Sequence, residues 1–302
     1  MIIINKRVQD ALAHNQAVVA LESTIISHGM PYPTNVKVAL QVEDEINSRG
    51  AIAATIGIID GDIVIGMTAE QIEEFGQRQG IVKVSGRDLA YVTSQGLWGS
   101  TTVAATMICA KMAGIDVFVT GGIGGVHRGG ENSFDISNDL EELSKTRMVV
   151  VCAGPKAILD VDKTIEYLET QGVPLVGYQT NKLPLFYTRT SRIDVPVRLD
   201  TPKEIARLFV CQSEMQLRQS VLVTNPLPED DSIDANIMEE WIKQALAEAK
   251  VQGIKGKEET PFLLKKIVEL SGGDSLEANT QLILNNARLG AQIALSLAKE
   301  RQ

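Results

Sequence analysis

Two short apolar runs, each followed by a glycine-containing turn, constrain this chain more than any other feature. Residues 117–119 (VFV) precede a stretch with six glycines between Gly121 and Gly130, and residues 148–152 precede a Gly-Pro-Lys turn. Apolar runs of this length suit strands that are buried on both faces of a sheet. Because parallel strands are usually joined by helices, a repeating order of strand, polar loop and helix predicts an α/β fold.

The order of the predicted elements extends this expectation to the whole chain. Residues 51–59 and 62–65 flank Asp60-Gly61, a strong signal for an antiparallel hairpin, so the sheet should be mixed. Most of the chain after residue 201 has helical spacing. We therefore expect a three-layer α/β/α fold with a central mixed, mostly parallel sheet and a helical C-terminal layer, formed by one domain over residues 1–302.

The composition disfavours several classes of function. The chain has 29 Lys and Arg against 38 Asp and Glu, for a net charge of −9. Nonspecific binding to nucleic acid or to an anionic membrane is therefore not expected. Its apolar runs are too short to cross a bilayer, and the first residues do not resemble a signal peptide. The three cysteines lie far apart, which predicts reduced thiols in a cytoplasmic protein.

Lys156 is the first candidate for chemistry. Pro155 suits the first position of a helix, and the spacing after it predicts a helix that continues to about residue 170. An amine in the first turn lies against the positive end of the helix dipole, which lowers the cost of losing its proton and favours a nucleophile. The alternative is a surface lysine that bends outward into water.

Three further residues have both a functional and a structural interpretation. Glu22 directly follows a predicted strand, where it is either a solvent-facing strand end or an acid/base group held in a pocket. His28, in the loop after Glu22, can serve the site or cap a turn. Lys83 alternates with valines, so it lies either on the solvent side of a strand or against a phosphate group.

Familiar nucleotide and hydrolase motifs are missing. The glycine run 121–125 lacks the Lys-Ser or Lys-Thr pair of a phosphate-binding loop, and His127 stands where a dinucleotide fingerprint needs its third glycine. The sequence also lacks the nucleophile elbow of a Ser-His-Asp hydrolase. An amine among carboxylates instead suits Schiff-base chemistry on a sugar or another carbonyl compound.

Four motifs together resemble the pseudouridine-5′-phosphate glycosidases, a family also known as indigoidine synthase A-like. They are ALESTIISHGMP at 20–31, the glycine loop at 120–130, DISND at 135–139 and CAGPK at 152–156. The resemblance covers essentially the whole chain. It implies pseudouridine catabolism by reversible cleavage of the C–C glycosidic bond of pseudouridine 5′-phosphate, which gives uracil and ribose 5-phosphate. It also implies a homotrimer with one Mn²⁺ per subunit, with Mg²⁺ as an alternative.

The resemblance also assigns roles at matching positions. Lys156 matches the nucleophile that forms an imine with C1′ of the opened ribose, and Glu22 matches the acid/base group that moves protons as the sugar ring opens and closes. Asp135 matches the manganese ligand, with water expected to complete much of the shell. Substrate contacts are implied for Lys83, Val103, His127, Ser137, Asn138, Asp139 and Asn279.

Chemistry and resemblance agree on the need for a lysine, because an iminium makes C1′ electrophilic enough for a carbon–carbon bond to form and break there. A single carboxylate with many waters suits Mn²⁺ or Mg²⁺ better than zinc. Two alternatives stay open, namely another Schiff-base sugar-phosphate lyase or aldolase and a noncatalytic nucleotide-binding protein. A pseudouridine kinase, which would make the substrate, is an expected pathway neighbour.

Overall fold

An eleven-stranded sheet forms the centre of the computed structural model, which describes residues 1–254 and 256–301. The apolar runs of the sequence form its central strands. The strands are β1 (Ile2–Ile4), β2 (Val18–Leu21), β3 (Ile52–Ile59), β4 (Asp62–Ile65), β5 (Val82–Val84), β6 (Gly99–Thr101), β7 (Val117–Val119), β8 (Val149–Cys152), β9 (Leu175–Tyr178), β10 (Val197–Leu199) and β11 (Val221–Thr224).

The sheet is mixed and mostly parallel, as predicted. Its order is β1-β4-β3-β2-β7-β8-β11-β9-β10, with β6 paired to β3 and β5 paired to β6. Every pair from β3 to β10 along this path is parallel. Strand β3 runs antiparallel to β4 and β6. The turn between β3 and β4 is the expected hairpin, since Asp60 and Gly61 both have positive φ angles of 48° and 81°.

Helices surround the sheet, and many begin at side chains that cap their first turn. Thr201, for example, accepts a hydrogen bond from the Glu204 N–H and the Glu204 carboxylate accepts one from the Thr201 N–H. None of the described helices combines the length and the apolarity needed to cross a bilayer. The helices are α1 (Lys6–Ala13), α2 (Thr34–Asn47), α3 (Ala69–Gln77), α4 (Leu89–Ser94), α5 (Val103–Met112), α6 (Gly130–Ser133), α7 (Asn138–Lys145), α8 (Val161–Thr170), α9 (Pro202–Glu214), α10 (Ala235–Gln252), α11 (Glu259–Leu270) and α12 (Asp274–Glu300).

Alternate residues of the parallel strands point to opposite faces of the sheet, and helices cover both faces. In β7, Val117 and Val119 belong to the apolar core shared with α2, α9, α10, α11 and α12. Phe118 belongs to the core shared with α1, α4, α5, α7 and α8. The predicted three-layer fold is therefore confirmed, and the C-terminal helices form most of one outer layer.

Gly290 allows helix α12 to lie directly on strand β7. A β-carbon at this position would lie 2.2 Å from Cγ2 of Val119. Gly290→Ala should therefore lower the free energy of unfolding by about 2 kcal/mol, because both elements are too well packed to move apart freely. Denaturant unfolding measures this loss. The loss should be smaller in a Val119→Ala background, and an equal loss in both backgrounds would rule out the Val119 methyl as its cause.

The direction in which strands are added reverses between β2 and β7. From β2 the chain continues to its neighbour β3 on one side, whereas from β7 it continues to β8 on the other. In open α/β sheets, ligands bind in the crevice outside the carboxyl ends of the strands at such a point. Glu22 and Thr120 are the first residues after β2 and β7. The topology therefore places the candidate site at these two residues.

Candidate active site

A cavity of about 570 Å³ opens at this switch point. Its wall contains every residue that the sequence analysis assigned to the site, although these residues come from distant parts of the chain. Their grouping supports one common site, while their individual roles stay predictions. The residues are Glu22, Lys83, Val103, His127, Asp135, Ser137, Asn138, Asp139, Lys156 and Asn279.

Glu22 is held at the wall by the Thr120 hydroxyl, which donates a hydrogen bond to its carboxylate. Burial raises the pKa of Glu22 above its ordinary value of 4.5, and the nearby Asp139 raises it further. The positive charges of Lys156 and Lys83 oppose this rise without cancelling it. Glu22 therefore keeps its proton closer to neutral pH than an exposed glutamate does, as an acid/base group requires.

Glu22→Gln should raise the free energy of unfolding by about 1 kcal/mol near pH 7, although it should abolish any acid/base function. The raised pKa means that folding disfavours the ionised form, so glutamine resembles the form that the fold prefers. The gain should shrink as the pH falls below the ordinary glutamate range, where the wild-type carboxyl is protonated in both states.

Thermal unfolding at several pH values measures the effect of Glu22→Gln. Glu166→Gln, which changes an exposed glutamate of α8, is the matched control and should leave stability nearly unchanged. A Glu22→Gln protein that is less stable than wild type near pH 7 would show that favourable charge interactions outweigh burial at this carboxylate.

The prediction that Pro155 begins a helix is wrong. Helix α8 begins at Val161, where the Asp160 carboxylate accepts a hydrogen bond from the Lys163 N–H at 3.2 Å. Pro155 instead forms an isolated parallel bridge with Ile123 of the glycine loop. The positive φ of Gly154, 94°, and the ring of Pro155 direct the chain along that loop rather than into a helical turn.

Lys156 consequently lies in a loop, and the helix dipole does not explain its chemistry. Its backbone N–H donates to the Ile123 carbonyl at 3.1 Å, which fixes the start of the side chain beside the glycine loop. The side chain lines the cavity with Glu22, and its charge lowers the pKa of that carboxyl. The amine is therefore placed by the glycine loop and faces a carboxylate.

The DISND motif is hydrogen-bonded to three other segments of the chain at the site. The two carboxylate oxygens of Asp139 accept hydrogen bonds from the N–H groups of Gly124 at 2.8 Å and Ala104 at 3.0 Å. The side-chain oxygen of Asn138 accepts one from the Gly86 N–H at 3.2 Å. Ser137 caps α7 by accepting from the Asp139 N–H at 3.2 Å. Asp139 therefore supports the glycine loop as well as lining the cavity.

One part of the wall is suited to an anion. Helix α5 begins there at Val103, and α7 begins there at Asn138. Lys83 of β5 lies nearby, and its charge lowers the pKa of both Glu22 and His28. Of the two interpretations of Lys83, the structure thus favours a residue at the cavity wall. Two helix N-termini and a lysine together attract negative charge.

His28 also faces this cavity. It belongs to a π-helical turn, Ile25–Gly29, and burial together with the charge of Lys83 lowers its pKa. Its Nε2 atom is buried and has no hydrogen-bond partner among the described residues. The cavity position favours a site residue over the alternative of a turn-capping histidine.

Three side chains, two of which line the cavity, could hold a divalent cation. His127, Asp135 and Glu259 each offer one ligand atom, and these atoms lie within 4.8 Å of one another. Carboxylate oxygens suit Mn²⁺ and Mg²⁺, and an imidazole nitrogen is compatible with Mn²⁺. The residues therefore fit the predicted ion. Sequence reasoning identified Asp135 but missed Glu259, because Glu259 is far along the chain and belongs to no motif.

Sequence reasoning also missed two residues that shape the site. Asn286 of α12 is buried, and its amide donates to the Thr120 carbonyl at 2.9 Å, so the helix holds the end of β7. Asn279 lies about two turns earlier, a spacing that places both residues on the same face. Phe186 is buried against Gly122 and lines the cavity.

Comparison with known proteins gives consistent matches over the whole chain. The family model described as "Indigoidine synthase A like protein" matches residues 7–296. The pseudouridine-5′-phosphate glycosidase of Staphylococcus aureus strain MW2 is 54% identical over 295 residues, which cover 98% of this chain and 96% of that protein. The protein of the same name from Escherichia coli K12 is 54% identical over 292 residues, which cover 96% of this chain and 94% of that protein.

A solved structure shares the same fold. The prealnumycin C-glycosynthase AlnA in complex with ribulose 5-phosphate superposes with a TM-score of 0.92 at 40% identity, and the alignment covers 100% of this chain and 98% of that one. The fold and the site thus define an α/β enzyme of the glycosidase class. The chain belongs to the indigoidine synthase A-like family of pseudouridine-5′-phosphate glycosidases, so the resemblance found in its motifs is confirmed.

Proposed function

We propose that this protein cleaves the C–C glycosidic bond of pseudouridine 5′-phosphate reversibly, to give uracil and ribose 5-phosphate. The observation that carries the proposal is that Lys156 and the partly buried Glu22 line one cavity at the switch point of the sheet, close enough for the charge of Lys156 to lower the pKa of the Glu22 carboxyl. The cavity volume, about 570 Å³, lies within the range of small-molecule sites. Relatives that are more than half identical bear the name of this activity.

Lys156 is the proposed nucleophile. Its amine forms a covalent bond to C1′ of the ring-opened ribose, and the resulting iminium makes that carbon electrophilic. In the synthetic direction the amine condenses with the C1′ aldehyde of opened ribose 5-phosphate and water leaves. A carbon of uracil then attacks the iminium and loses its proton, and the C4′ hydroxyl closes the ring by displacing the amine from C1′. Cleavage is the reverse sequence. Hydrolysis of the iminium then releases ribose 5-phosphate. The loop around Gly154 and Ile123 fixes the backbone of the lysine and so limits the positions that its amine can reach.

Glu22 is the proposed acid/base group. Because burial raises its pKa, the carboxyl can give a proton to the ring oxygen as the sugar opens and take it back as the sugar closes. Its neighbour Lys156 lowers the same pKa, so the proton affinity of Glu22 depends on the state of the lysine. The hydrogen bond from Thr120 keeps the carboxylate in place.

The phosphate is proposed to lie beside Lys83 and the starts of helices α5 and α7. Val103, Ser137 and Asn138 stand at these helix starts and line the cavity. His127 and Asn279 would contact other parts of the substrate. The side-chain oxygen of Asn279 is buried and has no partner among the described residues, which leaves it able to accept a hydrogen bond from the base or the sugar.

Asp135 is the proposed ligand of a divalent cation, Mn²⁺ by preference or Mg²⁺. Bound there, the cation would supply positive charge that orients the oxygen atoms of the substrate. The amine of Lys156 and the carboxyl of Glu22 carry out the covalent and proton-transfer steps, so the proposed role of Asp135 is in binding.

Condensation of uracil with ribose 5-phosphate by the purified protein with Mn²⁺ tests the proposal. Formation of pseudouridine 5′-phosphate would establish the activity. The ribulose 5-phosphate bound to the related C-glycosynthase favours, as a second candidate, C–C bond chemistry on a different acceptor. Borohydride reduction that fixes ribose 5-phosphate to the protein, together with no reaction of uracil, would support that candidate. If neither covalent capture nor turnover is observed, a noncatalytic nucleotide-binding function is the remaining candidate.

The assembly, the cellular location and the substrate supply of the protein are proposed from the same family membership. We propose a homotrimer in the cytoplasm, supplied with substrate by a kinase that phosphorylates pseudouridine. Light scattering of the purified protein tests the assembly. A mass equal to that of one chain, 32.7 kDa, would contradict the trimer.

A further inference from the structure

The strongest feature outside the proposed chemistry is a pair of buried asparagines behind the cavity wall. Asn286 on α12 is fully buried, and Asn225, the first residue after β11, is 5% exposed. The side-chain amide of Asn225 donates to the side-chain oxygen of Asn286 at 3.1 Å. Neither side chain lines the cavity, so the pair is suited to supporting the site and not to touching a substrate.

The pair holds the ends of three neighbouring strands. Asn286 Nδ2 donates to the carbonyl oxygens of Thr120 at 2.9 Å and Gly121 at 3.4 Å, which directly follow β7. The backbone N–H of Asn225 donates to the carbonyl of Cys152, the last residue of β8, at 2.8 Å. Strand β8 lies between β7 and β11 in the sheet. A helix of the outer layer therefore fixes the carboxyl ends of these three strands relative to one another.

Hydrogen-bonding chemistry determines which way both amides point. The carbonyl oxygens of Thr120 and Gly121 only accept hydrogen bonds, so the NH₂ group of Asn286 must face them. Its oxygen atom must then face the NH₂ group of Asn225. Any other arrangement leaves a buried donor or acceptor unpaired, which is costly in the interior. The two amides therefore have a single favourable orientation.

On one side this pair reaches the proposed acid/base group. Thr120 accepts from Asn286 through its carbonyl and donates from its hydroxyl to the Glu22 carboxylate. Thr120 is itself fully buried, so its side chain has little freedom to find another partner. The route from Asn286 to Glu22 therefore passes through one residue that is hydrogen-bonded at both ends.

On the other side the pair reaches the proposed nucleophile. Gly121 begins the glycine loop, and Ile123, two residues further on, accepts from the Lys156 backbone N–H at 3.1 Å. The backbone N–H of Ile123 donates to the Gly154 carbonyl at 3.3 Å. The loop that starts at the contact with Asn286 therefore supports the turn that carries Lys156.

We propose that Asn286 and Asn225 are positioning residues, which hold the Glu22 carboxyl and the Lys156 amine at the separation that the reaction requires. This inference rests on the proposed function, since it assumes that these two groups act on one substrate. A displacement of about 1 Å at a reacting group can lower turnover by about 100-fold. Loss of the amide pair should therefore reduce kcat, while KM should change little because neither amide lines the cavity.

Asn286→Leu, which replaces the amide by an apolar group of similar size, tests the proposal. We expect kcat to fall by about 10- to 100-fold with KM nearly unchanged. Steady-state kinetics measures both constants, and circular dichroism checks that the variant is folded. A folded Asn286→Leu protein with the kcat of wild type would overturn the proposal.

The same substitution should change the ionisation of Glu22. The hydrogen bond from Thr120 lowers the pKa of the Glu22 carboxyl, so Asn286→Leu, which loosens that bond, should make Glu22 ionise at a higher pH. The substitution leaves the charged groups that act on Glu22 unchanged, namely Lys156, Asp139 and Lys83. NMR titration of ¹³C-labelled glutamate side chains measures the effect, and the Glu22 signal is the one missing from Glu22→Gln. An unchanged titration would also overturn the proposal.

Gln212→Met is the matched control. Gln212 of α9 is likewise buried, and its amide donates to a backbone carbonyl, that of Gln219, at 3.3 Å. Its replacement removes a buried amide without touching the site, so kcat and the titration of Glu22 should remain as in wild type. If Gln212→Met shifts the titration of Glu22 as far as Asn286→Leu does, the effect is not specific to the asparagine pair and the proposal is wrong.

A double-mutant cycle tests the route through Thr120. Thr120→Val removes the hydroxyl that donates to Glu22 and should itself raise the pH at which Glu22 ionises. In that background Asn286→Leu should add little to the shift, whereas two independent effects would add. Full additivity would show that Asn286 does not act through Thr120, and it would reject the proposed route to Glu22.

Asn225→Ala carries the same tests if Asn286→Leu does not fold. It leaves the two bonds from Asn286 to the strand ends possible, but it removes the group that orients the amide. A folded Asn225→Ala protein with the kcat and the Glu22 titration of wild type would reject the proposal. The titration needs no turnover. A shifted titration in a protein unable to make pseudouridine 5′-phosphate would support the positioning of Glu22 while rejecting the proposed function.

Discussion

Lys156→Ala is expected to lower turnover of pseudouridine 5′-phosphate by about 10⁴-fold or more, because it removes the amine that forms the covalent intermediate. The fold should remain intact, since Lys156 is held through its backbone N–H rather than through its side chain. Borohydride with ribose 5-phosphate should label the wild-type protein and leave the variant unlabelled. Steady-state kinetics, circular dichroism and intact-protein mass spectrometry measure the three effects.

Two other substitutions make the test specific for the amine. Lys156→Arg keeps the positive charge beside Glu22 and should be nearly as inactive as Lys156→Ala, because a guanidinium does not form the imine. Lys203→Ala, which removes an exposed lysine of α9, should turn over as wild type does. Substantial turnover by Lys156→Ala, or labelling that persists in it, would show that another group forms the bond to the sugar.

Gly154→Ala is expected to lower the free energy of unfolding by about 3–5 kcal/mol and to reduce activity as well. Gly154 has a φ of 94°, a region that alanine adopts only with strain. A β-carbon there would also lie 2.0 Å from the Pro184 carbonyl oxygen, a backbone atom that cannot rotate away. Relief of this contact must move the loop that carries Lys156 or the segment that carries Phe186. Denaturant unfolding and kinetics together measure the outcome.

Gly114→Ala is the matched control for this substitution. Gly114 has a similar φ of 81°, but no atom lies within 4 Å of the position that its β-carbon would occupy. Its replacement should therefore show the backbone strain alone, about 1 kcal/mol, with activity retained. If Gly154→Ala and Gly114→Ala lose the same stability, the contact with Pro184 adds nothing and the proposed support of Lys156 by this turn is wrong.

The cavity residues were predictable because the chemistry of the site is concentrated in motifs at strand ends. Glu22 follows β2, the glycine loop follows β7 and Lys156 follows β8, so a sheet with parallel strands brings them to one edge. The resemblance to a known family then assigned roles at these positions. For Glu22 and Lys156 the neighbouring residues and the rule that parallel strands end together were sufficient to suggest a site, whereas Val103 and Asn279 were assigned through the resemblance alone.

The environment of Lys156 could not be predicted in the same way. Local spacing around Pro155 matched a helix start, and the structure forms a loop there instead. The bridge from Pro155 to Ile123 and the hydrogen bond from Lys156 to the same residue decide the conformation. Both are contacts between the ends of two neighbouring strands, and these outweigh local helix propensity when the sheet assembles.

Sequence alone determined the layer architecture and the residues that meet at the strand ends. Both depend on alternating apolar positions and short motifs, which can be recognised within a few consecutive residues. Tertiary structure alone decided that Asn286 holds the end of β7 and that Glu259 faces His127 and Asp135. Those residues come from helices α12 and α11, whose positions depend on packing against the sheet. This packing is driven by the burial of whole apolar helix faces. It therefore does not reveal from the sequence which two polar residues will meet.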